Sequence, residues 1–176
     1  MDNFELDDCL RRAVIQYDTR EHQNTALNRR IKQMGCETER RKLKHGDYSI
    51  GCRLPDGSWF SLEDKVCVER KQSLTELAMC FGKERGRFER EISGAAADGK
   101  TIYLVVENGT WGMLYDDMGY KMNCRSKLPR QSIIASLRAW QVRYGWHIDF
   151  CREEISGYVI KDILLRELKI ALEKME

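Results

Sequence analysis

The sequence has no apolar run long enough to cross a bilayer, and its acidic start, Met1 to Asp8, lacks the apolar stretch a secretory signal needs. Those absences set the expectation of a soluble, cytoplasmic protein. It has no Cys-x-x-Cys pair: its seven cysteines (9, 36, 52, 67, 80, 124 and 151) stand apart and are odd in number, which argues against a zinc site and a disulfide framework. Several fall in apolar runs and read as reduced core thiols. Nor does one sign of charge dominate. A net charge of +2 does not announce a polyanion binder, so any such affinity must come from local clusters. No internal repeat, low-complexity tract or linker interrupts the 176 residues.

What is present is material for a core. With 42% of residues apolar and 33% charged, the chain has the balance of an ordinary globular domain. Residues 1–12 are polar and predict a loosely held lead-in, followed by one domain over 13–176. Ala13 to Tyr17 predicts a strand that runs out at Asp18-Thr-Arg-Glu21. Residues 25–34 place Ala26, Leu27, Ile31 and Met34 at helical spacing, with Gly35 positioned to end the helix. Segments 40–43, 48–54, 59–62 and 66–71 predict short strands joined by turns, a β-meander. Residues 73–81 predict a capped helix, and the run from Lys83 a second, with Phe88, Ile92 and Ala96 four apart. Segment 101–106 is apolar enough to be a central strand covered on both sides. Segment 108–127 is irregular, either a short helix under a loop or a substrate-facing flap. An amphipathic helix over 131–144, a strand over 147–150 and a long helix over 153–175 complete an α/β chain, a mixed central sheet flanked by helices.

The chemistry-bearing stretch is Val66-Cys-Val-Glu-Arg-Lys71. Side chains alternate along a strand, so Glu69 and Lys71 point the same way, opposite Val66 and Val68. Glu-x-Lys alone carries little, because 16 Glu and 12 Lys give about one chance occurrence and three are present. Glu63-x-Lys65 lies at the start of the strand, and Glu167-x-Lys169 falls in a helical pattern, where residues two apart do not face each other. Company distinguishes Glu69. Asp47, in His45-Gly-Asp-Tyr48, meets it if the chain folds back, and Arg53-Leu-Pro-Asp-Gly57 supplies a turn for that return. With Asp18 and Glu21, four carboxylates from three segments converge beside one lysine, the Asp…Glu-x-Lys set of a metal-dependent nuclease.

Hydrolysing a phosphodiester at neutral pH needs a hydroxide-like nucleophile, neutralised charge at phosphorus and help for the leaving oxygen. Carboxylates holding a divalent metal supply the first two. Asp47 and Glu69 are the candidate ligands and Mg²⁺ or Mn²⁺ the candidate cofactor, since Mg²⁺ takes oxygen ligands and retains several waters. Lys71 would orient the attacking water and offset phosphate charge. Arg20 and Arg70 are candidates for DNA phosphate contact or for salt bridges that fix the carboxylates. Lys83, Arg87 and Arg90 form a basic face beside the motif, a DNA contact or a solvated face. Each feature has a plain reading too: 18–21 is a charged loop, 69–71 a strand end, and Ser73-x-x-Glu76 a capping box.

Taken in order, Asp18-Thr-Arg-Glu21, Gly46-Asp47, Val68-Glu-Arg-Lys71 and Ser73-Leu-Thr-Glu-Leu77 resemble the nuclease domain of the XPF family. The resemblance extends through the Lys83–Arg90 run and Tyr103–Glu107, over roughly residues 13 to 165. It implies a restriction-endonuclease-like PD-(D/E)XK core and a structure-specific endonuclease acting on branched, flap or fork DNA in repair, recombination or replication. It also implies that Asp18, with Glu21, binds a second metal or holds metal-bound water. One departure stands out: strict spacing of the family motif, Glu-Arg-Lys, three residues, then Asp, lands on Thr75, with Glu76 one place later. Two other readings are a catalytically idle DNA-binding or scaffolding partner and a PD-(D/E)XK exonuclease or resolvase of another lineage. Family members pair through their nuclease domains. Residues 155–172 carry more apolar residues than one helix face needs, which points to a homodimer.

Overall fold

The protein, given as a computed structural model, is described over residues 2–175, so positions 1 and 176 of the expected domain bounds lie outside the described residues. Its strands are β1 (Val14–Asp18), β2 (Glu37–Arg41), β3 (Tyr48–Arg53), β4 (Trp59–Ser61), β5 (Val66–Lys71), β6 (Thr101–Glu107) and β7 (His147–Cys151). Its helices are α1 (Asn3–Arg11), α2 (Thr25–Met34), α3 (Leu74–Phe81), α4 (Arg85–Ala97), α5 (Trp111–Tyr115), α6 (Asp117–Asn123), α7 (Arg130–Tyr144) and α8 (Ser156–Glu173). The seven-stranded mixed sheet has the order β2-β1-β3-β5-β6-β7, with β4 on β3. The chain forms two compact units, one of residues up to 68 with those from 154 on, the other of residues 69–153.

In the first unit β1 is buried along its whole length, parallel to β2 and antiparallel to β3. The expected meander is therefore corrected: β2 reaches β1 through the crossover helix α2, and β3 then inserts on the other side of β1. A parallel pair needs such a crossover, and α2 supplies it, capped by Asn24 at one end and ended by Gly35 at φ +56. The turn at Pro55-Asp-Gly57 does form the β3–β4 hairpin, with Gly57 at φ +82. β2 sits at the edge and is charged and mostly exposed, which discourages pairing with another chain.

The expected lead-in is also corrected, because residues 3–11 form α1. Asp2 caps it and Glu5 reaches back to the Asp2 N–H, a capping box, while Leu6 and Cys9 are buried. Both signals stand in the sequence. On α8 the buried residues are Ser156, Gly157, Ile160, Leu164, Leu168 and Leu172, one stripe that packs on α2, α1 and β3. A Cβ on Gly157 would lie 2.5 Å from the Arg30 carbonyl oxygen, so glycine there permits the close approach of α8 to α2.

In the second unit β6 and β7 pair in parallel, and Phe81, Phe88, Trp140 and Trp146 form an aromatic core with ring centroids 5.0 to 6.4 Å apart. The irregular segment resolves into α5 and α6, capped by Thr110 and Asp116. Trp111 packs edge-on against Phe150 and carries the Arg138 guanidinium at 4.1 Å. No disulfide forms among the described residues, and burial pushes the Cys80 and Cys151 thiols up to about 11.

Candidate active site

In the first unit Asp47 is fixed by its backbone. Its N–H donates to the Val68 carbonyl at 2.8 Å, and its carbonyl accepts from the Asp18 N–H at 2.8 Å. Gly46 makes this approach possible: at φ +71 it adopts a left-handed conformation, and a Cβ there would lie 2.8 Å from Cys67 Cβ and 3.0 Å from the Val68 oxygen. The Gly-Asp pair is thus a steric requirement of the return of β5 to β3, where Tyr48 faces Val68.

Asp18 is fully buried at the end of β1. Its Oδ1 accepts from the backbone and Nε of Arg20, each at 2.7 Å, and its Oδ2 from the Leu43 N–H at 2.7 Å. Burial alone would raise its pKa. The hydrogen bonds from Arg20 and Leu43 and the Arg20 charge outweigh that and hold it below the ordinary carboxylate value. Glu21 is buried as well, with Oε2 accepting from Arg30 Nη2 and the Tyr48 hydroxyl, both at 2.9 Å, while Arg30 Nε donates to that hydroxyl at 3.1 Å. Sequence reasoning missed Arg30 and Tyr48. The signal was present: Leu27, Arg30 and Met34 lie three and four apart, so Arg30 falls on the buried face of α2.

In the second unit Lys71 Nζ lies 2.5 Å from Glu69 Oε1, both side chains nearly buried, and the ammonium sits 4.9 Å from the centre of the Phe88 ring. Arg70 points the other way, as strand alternation requires, and pairs with buried Glu107 at 3.0 Å. For Arg20 and Arg70, then, the ion-pair reading is the one observed; Arg20 pairs with Asp18 while its side chain stays 61% exposed. Glu76 accepts from the Gln72 N–H at 2.8 Å and its own N–H meets Ser73 Oγ at 3.2 Å, so it works as a helix cap; Thr75 Oγ1 accepts from the Arg125 N–H.

Lys83, Arg87 and Arg90 are exposed around the start of α4, with Arg87 paired to Glu84 at 2.7 Å and to Glu91 at 3.5 Å. Among the described residues no three His, Cys, Asp or Glu side chains gather into a group that could hold a metal ion. Mg²⁺ and Mn²⁺ are commonly held by one or two carboxylates together with waters.

The fold is that of a mixed sheet flanked by helices, as the sequence predicts. Residues 17–158 match the ERCC4 domain family, and the chain belongs to it. The chain is similar to the solved structure of XPF from Aeropyrum pernix, at 21% identity and a TM-score of 0.62, covering 88% of this chain and 64% of that one. It is similar to XPF from Aeropyrum pernix in complex with DNA, at 20% identity and a TM-score of 0.62, covering 94% of this chain and 68% of that one. No curated protein matches the chain. No helix among the described residues is long and apolar enough to cross a membrane.

Proposed function

We propose that this chain is a divalent-metal-dependent endodeoxyribonuclease that hydrolyses phosphodiester bonds in branched, flap or fork DNA inside the cell. The observation that carries the reading is the end of β5, where Arg70 is turned away onto Glu107 and Lys71 is held 2.5 Å from Glu69, within residues that match the ERCC4 domain family.

Asp47 and Glu69 would hold Mg²⁺ or Mn²⁺, which when bound supplies Lewis acidity and a more acidic water. Every other part falls to the chain. Lys71 donates to the scissile phosphate and orients the water, and its aromatic neighbour Phe88 keeps the ammonium from wandering. Asp18 and Glu21 were candidates for a second metal. Their oxygens accept from Arg20, Leu43, Arg30 and Tyr48, and this favours positioning: Asp18 steadies the Asp47 backbone, and Glu21 anchors the loop after β1. Lys83 and Arg90 would contact DNA phosphates, with Arg20 and Arg87 contributing where an ion pair is exchanged for phosphate.

The experiment is cleavage of labelled flap, splayed-arm, Holliday and linear duplex DNA with Mg²⁺, Mn²⁺, Ca²⁺ or excess EDTA. Cutting of branched substrates with Mg²⁺ or Mn²⁺ alone supports the reading. Cutting in excess EDTA would end the metal part, and binding without cutting under every condition would favour an idle DNA-binding partner.

A further inference from the structure

We infer that the sheet face formed by β2, β1, β3 and β4 is a binding site for a guanine nucleotide, supplied free or as an unpaired base in a strand. The inference stands apart from the nuclease reading. A cavity of about 800 Å³ opens on this face, a size suited to one nucleotide.

Its floor is unusual for a sheet interior. Gln16 on β1 is fully buried, and its Nε2 donates to Glu39 Oε2 at 3.0 Å, while its Oε1 is buried with no donor among the described residues. The Gln16 donor thereby holds the exposed Glu39 carboxylate on the cavity floor. Gln16 and Glu39 are register partners, so the acceptors stand side by side. The cavity's aromatic wall is Trp59. A Cβ on Gly51 would lie 2.4 Å from its Cζ2, so the indole occupies the room a side chain would take, yet it remains 39% exposed. Among the arginines that line the cavity, Arg12 and Arg53 are exposed; Arg12 pairs with Asp8, and Arg53 donates through Nη1 to the Gly57 carbonyl.

Three chemistries thus meet: an aromatic face, an edge of acceptors and peripheral guanidinium groups. An amine would leave the arginines unused, and a bare phosphate would meet Glu37 and Glu39. A nucleotide uses all three, with its base on Trp59 and its phosphate toward Arg12 or Arg53. The acceptor edge selects the base. Guanine presents adjacent N1–H and N2–H donors that match the two oxygens of the exposed Glu39 carboxylate, whereas adenine presents one donor group and an acceptor.

The test is a heteronuclear NMR titration of the ¹⁵N-labelled chain with dGMP, with dAMP, and with a short oligothymidylate carrying one central guanine or one adenine. The Gln16 side-chain amide and Trp59 indole N–H resonances are expected to shift saturably with the guanine ligands, and about tenfold more weakly with the adenine ones. A shift with the guanine strand but not with dGMP supports the site and assigns its source to a strand. Glu39→Gln, at an exposed position, should abolish the response without lowering the melting temperature, because an amide offers one acceptor to guanine's two donors; Gln16→Met, which removes the donor that holds the carboxylate, should weaken it. Glu69→Gln should leave it intact. No shift with any guanine ligand at millimolar concentration, or equal shifts with adenine, would overturn the inference. So would the same resonances responding to arginine amide and not to guanine, an outcome that would point to a basic peptide.

Discussion

At the scale of single residues, the acidic groups near the motif divide by what they touch. Asp18 accepts from the Leu43 N–H and from Arg20, and Glu21 from buried Arg30 and Tyr48, whereas Asp47 is held through its backbone, its side chain half-exposed. Asp47→Asn and Glu69→Gln are therefore expected to lower cleavage by about 100-fold or more; half-exposed Asp47 should change the melting temperature little, whereas Glu69→Gln also takes a charged partner from nearly buried Lys71 and should lower it. Steady-state cleavage of a labelled flap beside a thermal melt checks this. Arg30→Met should do the reverse. It strips Glu21 of a buried partner and should cost about 3–5 kcal/mol in urea unfolding. Asp18 adds a pH dependence of definite sign. Its folded pKa lies below the ordinary 3.8, so it contributes stability above that value and loses it as pH falls through the folded pKa. The stability gap between the native chain and Asp18→Asn should thus be full near neutrality and close below pH 3.8. A gap that persists at the lowest pH would contradict the assignment.

At the scale of elements, α4 carries the basic face that the sequence singled out. Arg87 already pairs with Glu84 and Glu91, so Arg87→Ala should weaken DNA binding less than Lys83→Ala or Arg90→Ala. Replacing all three should flatten the salt dependence by up to about one unit of log–log slope for each DNA phosphate that is no longer neutralised. Binding isotherms from low to moderate salt decide it, and an unchanged slope would return the run to a solvated face. The elements also show what could be read in advance. Helical stripes and the glycines that end α2 and α7 were legible because they are local, as were the strand at 66–71 and the turn at Pro55-Asp-Gly57. The order of strands was not. Nothing local in residues 37–41 says that they pair with β1 across a helix rather than with the next segment, and that non-local choice defeated the meander. The Glu69–Lys71 contact followed from alternation alone, whereas the Glu21–Arg30–Tyr48 triad joins three elements and needed the fold. α1 was legible and overlooked, because a polar composition masked its capping box.

At the scale of the whole molecule, the open question is association. On α8, Tyr158 and Ile170 are exposed beyond the buried stripe, as is Ile155 just before it, and Leu165 is half-buried. If this face pairs two copies, sedimentation at micromolar concentration should report about twice the 20.7 kDa chain mass, and Ile170→Asp should yield monomers. A monomeric native chain would contradict the pairing and leave the site untouched. The nuclease account is tested most directly by cleavage of one labelled flap substrate by the native chain and by Glu69→Gln, each with Mg²⁺ and with excess EDTA. The account predicts product only from the native chain with Mg²⁺. Equal product from Glu69→Gln, or from either protein in EDTA, would contradict it.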